Sequence, residues 1–130
     1  MYVRFVTPLI DADTRAEMGI FQAHSELLGS SQPDWLDDPF QDEVDWFNQW
    51  LDVPDRLGLH FKRGRSVWGV CWFRAGAAEA IARAQNYAAL LQSAGVPVVR
   101  LSWRGPAQVI WSDDVQIVAA PEKWMPRAFH

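Results

Sequence analysis

The chain has 130 residues, a formal net charge of -4, 49% hydrophobic and 22% charged residues, one cysteine and eight tryptophans. That length suits one domain with a real core, and the balance of apolar to charged residues excludes global disorder. A lone Cys71 excludes an intrachain disulfide and a zinc site built on several cysteines, and the acidic balance argues against nucleic-acid binding as the main role.

Residues 2–6 (YVRFV) alternate as a strand, with Val3 and Phe5 on one face and Tyr2, Arg4 and Val6 on the other. Thr7-Pro8 is expected to end it. An Asp-rich turn follows at 11–14. A helix is then expected from about residue 16 or 19 to 28, with Ile20, Phe21, His24, Leu27 and Leu28 forming one apolar stripe. Residues 29–33 read as a stop and linker.

Asp38-Pro39-Phe40-Gln41 has the arrangement of a capping box with proline at the first helical position. Phe40, Val44, Phe47 and Leu51 then recur at helical spacing, and Trp46 and Trp50 are expected to widen that buried stripe. Asp42, Glu43 and Asp45 lie where the helix dipole favours negative charge, and Pro54 closes the element. No periodicity is visible over 55–65, which reads as a loop or ragged extended segment. Residues 67–73 (VWGVCWF) are apolar on both faces, as a central strand requires. Residues 77–94 form a strong helix on the stripe Ala77, Ile81, Ala84, Ala88 and Leu91, with Gly95 placed as its C′ residue.

Three strands are expected over 98–103, 107–111 and 115–119, arranged as an antiparallel meander with a tight turn at Asp113-Asp114. The stretch 67–103 reads as a βαβ unit with parallel strands. Residues 121–130 form a tail that Trp124 is expected to pin down. The expected architecture is a single α+β domain, residues 1–130. It has a mixed sheet of about five strands in the order β-α-α-β-α-β-β-β, with helices mainly on one face.

No phosphate-cradling loop, dinucleotide fingerprint, zincin helix or nucleophile elbow occurs. The chemistry must therefore come from scattered residues. Of the three histidines, His24 reads as a core-edge residue with one satisfied nitrogen, and His130 as mobile. His60 stands in the basic segment with Lys62, Arg63 and Arg65. Arginine dominates the basic residues, and its planar fork suits carboxylates and phosphates. Arg4 and Arg100 lie inside strands, so burial would demand a partner for each. Cys71 reads as inert core.

Large aromatics bury ~150–250 Å² each, so most of the tryptophans are absorbed by the core. Trp35 and Trp124, outside regular elements, are the two expected at an interaction surface. The first functional expectation is a non-catalytic module binding a protein partner or a small, often anionic, ligand. The alternative is a small enzyme with an anion- or nucleotide-binding pocket, formed by Arg4, His60, Arg65 and Arg100 between the sheet and segment 53–66. No cofactor or metal is indicated, and nucleic acid and membrane are not expected partners. Edge strands would allow a homodimer. The first ten residues lack a basic region and a cleavage site, and no apolar run approaches the ~18–20 residues of a spanning helix. A cytoplasmic location is expected.

Overall fold

Alternation in the first strand sets the two faces of the sheet. In the computed structural model, which describes residues 1–28, 33–51, 60–62, 65–67 and 69–130 (with 60–62 and 65–67 as backbone), β1 (Tyr2–Ile10) runs on past Pro8. Proline is tolerated there because β6 (Val99–Trp103) pairs only with Tyr2–Val6, and the ladder on the other edge is irregular between Val6 and Ile10.

Of the two starts expected for the first helix, the structure takes the one near residue 19 and excludes the one near 16. β2 (Glu17–Gly19) pairs back onto β1, and α1 (Ile20–Leu27) follows. The turn between them explains this. The Arg15 N–H donates to the Asp11 carbonyl, the Asp11 N–H to the Ala16 carbonyl, and Arg15 takes a left-handed φ of 59°. The chain is thus reversed onto β1 before a helical turn can close. Thr7 Oγ1 then holds the Met18 carbonyl at 3.1 Å.

α2 (Asp37–Trp50) is preceded by a 3₁₀ turn, Asp34–Leu36. Asp38 therefore lies inside the helix and makes no capping hydrogen bond among the described residues. The 3₁₀ carbonyls of Pro33 and Asp34 already take the N–H groups of Leu36 and Asp37. Pro39 still falls in the first turn, where its missing N–H is harmless. Gln41 donates to Asp45 Oδ1 at 2.7 Å instead of closing a capping box. Phe40 and Phe47 are buried as expected, with Val44 and Leu51 packed against them, but Trp50 is 63% exposed and leaves the stripe. Pro54 lies outside the described residues.

The segment expected to be ragged contains a short hairpin, β3 (His60–Lys62) with β4 (Arg65–Val67). Val67 belongs to it and not to the central strand, which is β5 (Val70–Arg74). Trp68 lies outside the described residues.

α3 (Ala78–Ser93) ends as its sequence indicates. Gly95 has φ 91°, its N–H meets the Gln92 carbonyl, and the Val96 N–H meets the Leu91 carbonyl, a Schellman motif sealed by the buried Leu91 and Val96. Replacing Gly95 by alanine should cost about 1 kcal/mol, because a Cβ is strained at that φ. Urea denaturation reads the loss, and an unchanged midpoint would contradict the motif's role.

β7 (Val109–Ser112) and β8 (Gln116–Ala119) form the expected hairpin. Asp113 is its turn-former, since Oδ1 accepts the N–H groups of Val115 and Gln116. The third meander strand is elsewhere. β6 pairs with β1 at the far side of the sheet, and the connection 104–108 crosses between them. It brings Gly105 against the Tyr2 ring and sets the Ala107 and Gln108 N–H groups on Glu122 Oε1.

The strand order is β6-β1-β5-β8-β7, with β2 continuing the β5 edge of β1. Every ladder of this sheet among the described residues is antiparallel. β5 and β6 do run parallel to one another, as the βαβ reading requires, but with β1 between them.

Among the described residues the fold is a single α+β domain of six main-sheet strands and three helices. The helices cover one face, where Val3, Phe5 and Phe73 meet Phe40, Phe47, Tyr87 and Leu91. The other face holds Val6, Val70, Trp72, Leu101 and Ile117, covered by Met125 with Phe129 packed against it.

Candidate functional site

β1 uses its two edges differently, and this creates a cleft. Val6 pairs with both Val99 and Gly19, while Tyr2 pairs with both Trp103 and Arg74. β6 therefore holds one edge continuously. β5 and then β2 share the other. Between them, at Arg4 and Phe5, that edge has no strand partner among the described residues. β1 and β5 separate after Val3↔Phe73, while β5 stays paired with β8 from Val70 to Phe73.

The gap opens into a cavity of about 740 Å³. Its walls come from β1 (Arg4, Phe5), β5 (Cys71, Trp72), α1 (His24), α2 (Phe47) and α3 (Tyr87). Leu51 and Gly69, on either side of the basic segment, also line it. Gly69 is held close to the sheet, where a Cβ would lie 2.2 Å from Cγ1 of the fully buried Val118. Gly69→Ala should destabilise the fold by about 2 kcal/mol through overpacking at this corner. A thermal melt checks it, and a neutral result would show that β5 can slide away from β8.

The helix-side wall is aromatic. His24 stacks on Phe40 with centroids 4.1 Å apart, and its Nδ1 meets the Tyr87 hydroxyl. Phe21 packs edge-on against both Phe47 and Tyr87. His24 is thus the core-edge histidine that its place on the stripe implied, and burial pushes the Tyr87 hydroxyl well above the usual phenol range.

Arg4 occupies the split itself. Nη2 donates to the Glu17 carbonyl at 2.5 Å. Burial pushes the guanidinium down to about 10, opposed by the nearby Glu17 and Asp11 charges, so it remains a cation at neutral pH. The Glu17 carboxylate is not its ion-pair partner. That group accepts the N–H groups of Ala128 and Phe129. The sole ion pair among the described residues is Arg83–Glu43, at 3.5 Å.

Burial pushes the Cys71 thiol up to about 12, with Arg4 opposing the shift. Against the ordinary thiol value of 9.0, this makes the thiolate about a thousandfold scarcer in the folded chain than in the unfolded one at any pH below 9. Alkylation by iodoacetamide at pH 8 should be slower by that factor in the native protein than in urea. A native rate within tenfold of the unfolded one would mean an activated thiol.

The four sequence-indicated ligand residues do not all meet here. Arg4 lines the cleft. Arg100 pairs opposite Phe5 and lies over its ring at 5.9 Å, outside the cavity lining. The side chains of His60 and Arg65 lie outside the described residues. Trp35 is 67% exposed in the 3₁₀ turn, and Trp124 is 80% exposed beside Lys123. Trp124 therefore does not pin the tail. Glu17, Met125 and a contact of His130 Nε2 to the Pro8 carbonyl at 2.8 Å do so, and the last of these ties down a side chain expected to be mobile.

Sequence reasoning missed the roles of Tyr87 and Trp72, because both read as ordinary core aromatics. Only the split of the β1 edge makes them cavity walls.

Comparison with known proteins finds no matching family model, no matching curated protein and no matching solved structure. The site thus stands on its own geometry. No helix among the described residues is long and apolar enough to cross a membrane, and no cluster of three or more metal-ligating side chains occurs among them.

Proposed function

We propose that the protein is a non-catalytic module that binds a small ligand in the cleft between β1 and β5. The observation that carries this reading is the cavity of about 740 Å³ opened by the split β1 edge. Its size lies within the ~300–1,000 Å³ of small-molecule sites, and its lining has their character, aromatic walls with a few placed polar groups.

A small enzyme acting on an anion is the second reading, favoured by the presence of Arg4 in the cleft. It draws less support, since Cys71 is held protonated and His24 Nδ1 is engaged by Tyr87, which leaves no activated nucleophile among the described lining residues. A cytoplasmic setting suits the free thiol.

The test is a fragment screen containing neutral and anionic aromatic and aliphatic compounds, read by thermal shift and by Cys71 alkylation. A ligand in the cleft raises the melting temperature by mass action and slows alkylation further. If no compound does both at millimolar concentration, the cleft is not a binding site.

A further inference from the structure

We infer that the ligand of this cleft is a small organic carboxylate whose charged end is held by Arg4 and the indole N–H of Trp72. The inference rests on the small-ligand reading above and names the ligand's chemical class.

Trp72 is 1% exposed and lines the cleft, yet its Nε1 is buried with no hydrogen-bond partner. A buried indole N–H normally finds an acceptor, and an orphan costs desolvation energy that the fold does not recover. Arg4 lines the same cleft. Of the guanidinium's five N–H groups, one makes a hydrogen bond among the described residues, to the Glu17 carbonyl. Its charge forms no ion pair among the described residues, although the Glu17 and Asp11 charges lie near enough to favour it.

The two groups belong together. The β1–β5 ladder pairs Tyr2 with Arg74 and Val3 with Phe73, so the next register position sets Arg4 opposite Trp72 on the same face, where the strands part. The split thus leaves an indole donor and a guanidinium on the same side of one cavity.

A carboxylate suits both donors. Its two oxygens accept from the indole and the guanidinium, and its charge offsets that of Arg4. The other lining residues favour an organic group behind it, since Phe5, Phe47, Phe21 and Tyr87 form an apolar wall on the helix side. Of the acids near the cleft, Glu17 and Asp11 already act on Arg4, and a carboxylate ligand competes with them for its charge. Asp13 is exposed, and Asp11 is occupied within its own turn by Thr14 Oγ1 and the Asp13 N–H.

The experiment uses the whole chain with phenylacetate, 4-phenylbutyrate and octanoate, their neutral amides, and inorganic phosphate. Binding is followed by calorimetry and by the indole N–H resonances. The expected result is that carboxylates bind at least tenfold more tightly than the matching amides, and that the Trp72 indole proton moves downfield on saturation. Arg4→Gln and Trp72→Phe should each weaken carboxylate binding roughly ten- to a hundredfold, the usual worth of a hydrogen bond to a charged group. Arg4→Lys, which keeps the charge but not the fork, should fall between.

Equal binding of amides and carboxylates overturns this inference and leaves the small-ligand reading standing. Absence of binding by every compound sinks both. Carboxylate binding with an unmoved Trp72 indole proton shows that a water serves that group, and the two-donor subsite is then wrong. Phosphate binding without carboxylate binding also overturns the proposal. The wild-type indole shift keeps the test decisive even if Trp72→Phe folds poorly.

Discussion

Tyr87→Ala should destabilise the protein by about 4 kcal/mol, the largest single-site loss expected in the helix-side core. Tyr87 is 2% exposed and sits at the centre of an aromatic cluster, with ring centroids 5.0 Å from Phe21 and 5.4 Å from both His24 and Phe40. Truncation removes these contacts and leaves a hole continuous with the cleft. Tyr87→Phe keeps the ring and loses only the hydroxyl that meets His24 Nδ1, so it should cost about 1 kcal/mol. Urea midpoints for the pair measure the difference. Equal losses would mean that the hydroxyl, and not the ring, carries the contribution.

Alkaline titration reads the same burial. The Tyr87 hydroxyl is raised by desolvation, so the folded state holds its proton more tightly than the unfolded chain. That stabilisation is fully present below the unfolded phenol value of about 10 and is lost as pH rises above it. Cys71 acts in the same direction over the window from 9.0 to about 12. Arg4 acts in the opposite direction, because its lowered value favours the folded state only as pH rises above about 10. Tyr87→Phe should therefore flatten the alkaline fall in stability. An unchanged slope would place its cause elsewhere.

The second large effect is expected at Glu17. Glu17→Ala should cost about 3 kcal/mol and free the C-terminal segment. The residue is 1% exposed, with Oε1 accepting the Ala128 N–H at 2.7 Å and Oε2 the Phe129 N–H at 2.5 Å. Hydrogen bonds to a charged group are worth ~1.5–3 kcal/mol each, and their loss here leaves two backbone donors to find water. Arg127 Nη2 on the Arg15 carbonyl, at 2.6 Å, holds the segment less firmly because it is exposed. Amide exchange at residues 128 and 129 should rise while α3 remains protected at its core. If exchange there is unchanged, the carboxylate is not the anchor. The loss should also be felt at Trp72, since Met125 and Phe129 cover the face on which it packs.

Much of the fold follows from local pattern. The α3 stripe, its glycine stop and the Asp113 turn are short-range arrangements, complete within a few residues, and they form where the sequence places them. The apolar run around Cys71 becomes an interior strand because it has apolar residues to bury on both faces. The misplacements have one cause in common. β2, β6 and the end of β1 are decided by partners distant in the chain: Val6 meets Gly19 and Val99, and Tyr2 meets Arg74 and Trp103. Pairing of this kind leaves no periodic trace in either strand. It overrides the helical pattern at residues 17–19 and carries β6 away from the meander.

The candidate site divides in the same way. Arg4 was visible as a charged residue within a strand, and the need of a buried arginine for a partner is general chemistry. Its companions were not visible. Trp72 and Tyr87 carry no local mark that separates them from other core aromatics.

By itself the sequence determined the α+β class, the long helices, the turn chemistry and an unusual stock of tryptophan, because each depends on contacts made within a few residues. Only the tertiary structure decided where the strands pair, and with that the split in the β1 edge. A gap between two strands is a property of neither strand alone, so the cleft and the donors that line it appear only when the sheet is assembled.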